Sequence, residues 1–148
     1  MKILHVSLWL LLASASVFAS LGGPESSIHR DTQKLNATKK VVHSMKNYSI
    51  HELDSHGTLI REYISSSGIV FGIAWRGLVH PELGSLLGSY AAEYSILFEK
   101  NLKQNGARTS SIRTDNIVVE KWGHMRNLAG HAFIPSLLPE GLSPNEIR

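Results

Sequence analysis

The chain contains no cysteine. That absence excludes disulfide bonds, thiolate metal sites, a cysteine nucleophile and the lipid-modified cysteine that tethers exported bacterial lipoproteins, so packing alone must hold the fold. A dominant charge of either sign is lacking too: 15 Lys and Arg stand against 12 Asp and Glu, a formal net charge of +3. The basic residues are scattered apart from Lys39-Lys40, whereas a nucleic-acid footprint gathers Lys and Arg beside aromatics or on a reading helix. Nucleic acid is therefore not an expected partner. The apolar run Ile3–Ala13 falls short of the ~20 residues that a membrane-spanning helix needs. No comparable run follows it, so no integral membrane segment is expected after the leader.

What is present at the start is a leader. Met1-Lys2 supplies a positive end, Ile3–Ala13 a short apolar core, and Ala15-Ser16-Val17-Phe18-Ala19 the small residues that signal peptidase reads before Ser20. The pattern predicts a signal peptide over 1–19 and a bacterial protein exported to the periplasm or secreted. Residues 20–148 suit one domain, since no repeat or low-complexity linker divides them.

After Leu21-Gly22-Gly23-Pro24, the stretch from Glu25 to His43 lacks Gly and Pro and spaces Ile28, Leu35 and Val42 seven apart, which predicts a first helix. Period-two patterns then predict strands over Tyr48–Leu53, Thr58–Ile64 and Ile69–Trp75. The third is apolar on both faces, as a central covered strand would be. Pro81 opens a helix whose apolar steps run from Leu83 to Phe98, ending at Asn105-Gly106. Strands over Ile117–Trp122 and Met125–Ile134 follow, joined by Gly123-His124, and Pro135, Pro139 and Pro144 leave an extended C-terminal tail over about 135–148. The order α-βββ-α-ββ predicts an α+β domain: an antiparallel sheet of about five strands with helices packed on it.

Coherent catalytic motifs are absent. Of the eight histidines, neither His51 and His56 nor His124 and His131 have the i, i+2 or i, i+4 spacing that brings two rings to one metal ion, and no metal or cofactor is expected. Gly84-Ser85-Leu86-Leu87-Gly88 lacks the Gly-x-Ser-x-Gly order of a nucleophile elbow; its glycines are read as letting the helix approach another element. Arg61-Glu62-Tyr63 and Trp75-Arg76 put charges and aromatics on adjacent predicted strands, where Glu62 could serve as acid or base and an Arg could grip a carboxylate or phosphate. A cross-strand ion pair is the plainer reading of such charges. Trp122, His124 and Arg126 sit at the predicted tip of the last hairpin, and Trp with Arg is a common contact pair at interfaces.

Leu21-Gly22-Gly23, Arg61-Glu62-Tyr63-Ile64-Ser65, Trp75-Arg76-Gly77, Leu86-Leu87-Gly88-Ser89-Tyr90, Gly123-His124-Met125-Arg126, and Pro135–Gly141 with Glu146-Ile147-Arg148 together resemble a proteobacterial exported family, domain of unknown function 2844. The resemblance covers nearly all of the chain after the leader and implies an exported protein of about this size. It carries over no functional residue. Leu78 stands where the family pattern has proline, and His131 where it has arginine.

Two functions follow as expectations. The first is an exported accessory protein that binds another envelope component, such as a protein partner, through a sheet face or the Trp122–Arg126 hairpin, with Arg61, Glu62, Tyr63, Trp75, Arg76, Trp122, His124 and Arg126 as candidate binding residues. The second is a small periplasmic hydrolase or ligand-binding enzyme with a site near Glu62, Arg61, Trp75 and His124.

Overall fold

The computed structural model describes residues 21–105 and 110–148; the expected leader lies outside them. Seven antiparallel strands form one sheet in the order β1-β2-β3-β4-β7-β6-β5. The strands are β1 Thr38–Ser44, β2 Tyr48–Ser55, β3 Thr58–Ser65, β4 Val70–Gly77, β5 Ser110–Arg113, β6 Val118–His124 and β7 Asn127–Phe133. The strand expected at the centre is there: β4 has three strands on either side. Its residues Val70 to Trp75 are all buried.

An antiparallel sheet carrying helices is therefore present, with seven strands rather than about five. One extra strand comes from the predicted first helix, which is α1 Ile28–Lys34 alone. Asn36 takes a left-handed φ of 47° and breaks it, after which β-branched Thr38, Val41 and Val42 pair with β2. The other is β5, four residues of Ser-Ser-Ile-Arg, too short and polar to show a period-two signal.

The predicted long helix is also two. Glu82 caps α2 Leu83–Leu87 by accepting from the Gly84 and Ser85 N–H groups, and Gly88, at φ 53°, ends it before a 3-10 turn leads into α3 Ala91–Asn105. Gly88 is thus a break, not a site of close helix packing. At the last hairpin His124 pairs with Asn127, so Gly123-His124 belong to the strand. The turn is Met125-Arg126, with Arg126 at φ 62°.

The helices cover one face of the sheet. Leu86 and Leu87 of α2 and Tyr94 of α3 pack with Leu53, Ile60, Ile73, Trp75 and Val119 in the larger core. The Lys121 ammonium sits 3.8 Å from the Phe98 ring centre, and Phe98 stacks on Tyr94 at 5.5 Å, which fastens α3 to β6. Burial pushes the Tyr94 hydroxyl up to about 12 and lowers the Lys121 ammonium.

Residues 135–148 cover half of the other face. Prolines cannot extend a ladder, and here they open 3-10 turns at Pro135–Leu137 and Pro144–Glu146, the second closed by a Ser143–Glu146 capping box. Leu138, Leu142 and Ile147 settle on Tyr63, Phe71 and Phe133 in a second apolar cluster.

Candidate functional site

Strand register sorts the second face into three cross-strand rows, each about 7 Å from the next because same-face residues are two apart along a strand. The first row is Ile50, Tyr63, Gly72, Phe133 and Val118. It lies under the tail. Ile147 is fully buried above Gly72, where an added Cβ would meet its Cδ1 at 3.1 Å. A side chain there would push Ile147 back by a few tenths of an ångström.

The second row, Glu52, Arg61, Ala74, His131, Glu120 and Ser111, is a seam of hydrogen bonds along the tail's edge. Arg61 Nε donates to Glu52 Oε1 at 2.8 Å, and its Nη1 donates to the Arg148 carbonyl at 2.8 Å. The Tyr63 hydroxyl accepts from the Arg148 N–H at 3.1 Å and lies 3.0 Å from the Arg148 carbonyl. Burial pushes that phenol up, against the pull of the Arg148 backbone and the Arg61 charge. His131 has Nδ1 at 3.0 Å from the Ile147 carbonyl and Nε2 at 3.1 Å from Glu120 Oε2. Such a ring can donate to one oxygen as a neutral tautomer and to both only when protonated. Burial raises the Glu120 carboxyl, but bonds from Ser111 and Arg113 and the neighbouring charges outweigh it and hold Glu120 below the usual carboxylate range.

The third row, Asp54, Leu59, Arg76, Ala129 and Trp122, has no tail over it. Small Ala74 and Ala129 set the floor low while Leu59, Arg76 and Trp122 stand beside it. The result is a hollow of about 490 Å³ lined by Leu59, Arg61, Trp75, Arg76, Trp122, Ala129, Gly130 and Arg148. The Trp122 indole meets the His131 ring edge-on at 5.4 Å, which limits its rotation while 37% of the residue stays exposed. Three arginines and the part-exposed Trp122 around an apolar floor can grip an anionic group and stack against a flat body.

The predicted site residues divide between the two faces. Arg61, Arg76 and Trp122 meet at the hollow, and Tyr63 anchors the tail beside it. Glu62 is fully buried on the helix-covered face, opposite His51 in the ladder. Trp75 is also buried there, and its indole donates to His80 Nδ1 at 2.9 Å; it is also among the residues around the hollow. His124 and Arg126 are exposed at the hairpin end. Glu62, Arg61, Trp75 and His124 are therefore not gathered into one site. A second hollow, of about 450 Å³, lies beside α1 and includes His51 and Glu25, whose Nε2 and Oε1 are 3.2 Å apart.

Sequence reasoning missed Leu59, Ala129, Gly130 and Arg148 as lining residues. Alternation along β3 put Leu59 on the same face as Arg61, a usable signal. Nothing local told that Arg148 would return across 87 residues to meet Arg61.

No curated protein and no solved structure matches the sequence. Residues 17–147 match the family described as a protein of unknown function, DUF2844, and the chain belongs to that family.

Proposed function

We propose that the protein is a bacterial export product, periplasmic or secreted, that works as an accessory binding protein for another component of the cell envelope. The binding surface is the open half of the second sheet face, with the Trp122–Arg126 hairpin at its border. The leader pattern supports export. Leu21, two residues past the expected cleavage point, is already buried, and its N–H donates to the Leu86 carbonyl at 3.0 Å, so a chain cleaved there keeps this anchor.

The observation that carries the binding reading is the composition of the hollow: Arg61, Arg76, Arg148, Trp122 and Leu59 in one concavity beside a tail that covers the rest of the face. Among its lining residues none has a side chain that exchanges protons near neutral pH. That favours holding a partner over acid–base chemistry.

In-cell photo-cross-linking tests the reading. A photoreactive residue in place of Trp122, expressed in the native host with the leader intact, is expected to give an adduct of discrete mass in the envelope fraction, and Arg76→Glu is expected to remove it. A ladder of non-specific adducts unaffected by Arg76→Glu, or recovery of the protein in the cytosol with Met1 intact, would refute the proposal.

A further inference from the structure

We infer that the open hollow is an anion site for a carboxylate or phosphate group borne on a flat apolar body, with Arg76 as the principal grip and Trp122 as the stacking wall. The inference rests on the binding reading above and narrows it to a ligand chemistry.

The distribution of charge on the second face leads to it. Two of its other cations are matched to oxygen acceptors. Arg61 holds Glu52 and the Arg148 carbonyl, and Arg113 Nη2 donates to Glu120 Oε1 at 2.7 Å. Glu120 is further engaged by Ser111 and His131. Asp54, at the far end of the Leu59 row, accepts from the Gly57 N–H at 3.2 Å. Arg76 and Arg148 differ: among the described residues neither guanidinium makes an ion pair, and both residues line the same hollow as Arg61. Glu52 answers the Arg61 charge; the charges of Arg76 and Arg148 beside it have no such partner, and an external anion relieves their repulsion.

Shape narrows the class further. In the register, Ala129 lies between Arg76 on β4 and Trp122 on β6. Only the Ala129 methyl thus stands between the Arg76 and Trp122 positions, which flank a gap one strand wide. Leu59, paired with Arg76 from the other side, continues the apolar surface. A free inorganic ion would leave Leu59, Ala129 and the indole wet; an apolar body carrying the anion covers them. The planar guanidinium fork suits the two oxygens of either a carboxylate or a phosphate.

The indole N–H resonance of Trp122 in the ¹⁵N-labelled protein, assigned by its loss in Trp122→Phe, provides the test. Phenyl phosphate and benzoate are the probes, with benzyl alcohol and inorganic phosphate as controls. Either aromatic anion is expected to shift the resonance saturably, and their relative affinities tell a phosphate source from a carboxylate one. Arg76→Gln, at an exposed side chain outside both cores, is expected to weaken the better probe about tenfold or more, the size of a lost charged hydrogen bond. No saturable shift with either anion would overturn the inference. So would equal binding of benzyl alcohol, equal binding of inorganic phosphate, or an unchanged Arg76→Gln. If the Trp122 cross-link forms while these titrations fail, the ligand chemistry is wrong and the binding reading stands; if the titrations succeed and the cross-link fails, the anion site stands without an envelope partner.

Discussion

The two halves of the second sheet face are built from the same strands, yet one is closed by the chain itself and the other is left to solvent. Phe71, Phe133 and Val118 lie under Leu138, Leu142 and Ile147, whereas the Leu59–Arg76–Ala129–Trp122 row ends in a hollow. The seam between them is polar and tightly bonded. Covering apolar rings stabilises the fold; leaving arginines and an indole uncovered does not, so their placement points to a task beyond stability.

The sharpest way to break this contrast is to damage the covered half. Phe71→Ala is expected to cost about 3–5 kcal/mol, because Phe71 is fully buried and meets Tyr48 and Tyr63 rings, each at 6.1 Å. Ile147→Ala should follow at about 2–5 kcal/mol, read by urea unfolding, and a loss under 1 kcal/mol would mean that the tail is not part of the core. Tyr63→Phe removes only the hydroxyl that meets Arg148. About 1 kcal/mol is expected from that loss, with faster amide exchange confined to residues 143–148.

The seam is open to test by acid. Glu120 titrates below its ordinary value in the folded chain; its contribution is therefore present above the unfolded carboxyl's pKa and lost as pH falls through the lower folded one. Arg113→Ala should shrink that difference. The variant is expected to lose less stability than wild type between pH 7 and pH 3, and an identical acid limb would show that Arg113 does not hold Glu120. Smallest of all, Leu59→Ala and Arg76→Gln in the open half should each change stability by no more than about 0.5–1 kcal/mol, as surface changes do.

How much of this was legible in the sequence depended on the range of the interaction. Strands β2, β3, β4, β6 and β7 announced themselves because alternation is local, and the two-sided apolar run of β4 told of its central place. The β1 strand was hidden because Ile28, Leu35 and Val42 mimic a heptad spacing, while what makes Thr38–Ser44 a strand is its pairing with β2. Arg61, Arg76 and Trp122 stood out as residue types, but their shared hollow depends on register between strands far apart in the chain. Glu62 looked like the partner of Arg61 in chemistry; adjacency along one strand sends the two to opposite faces. The tail's role was out of reach for the same reason, since its prolines report where regular structure ends and not where the chain goes next.

Thiol labelling tests the division of the second face most directly, and the absence of native cysteine gives it a blank background. Leu59→Cys, in the open row, is expected to react at a rate near that of an exposed thiol and to be slowed by phenyl phosphate. Val118→Cys, beneath the tail, is expected to react only as fast as the tail lifts or the protein unfolds. Equal rates at the two positions, or a Leu59→Cys thiol indifferent to the anion, would contradict a face that is half core and half binding surface.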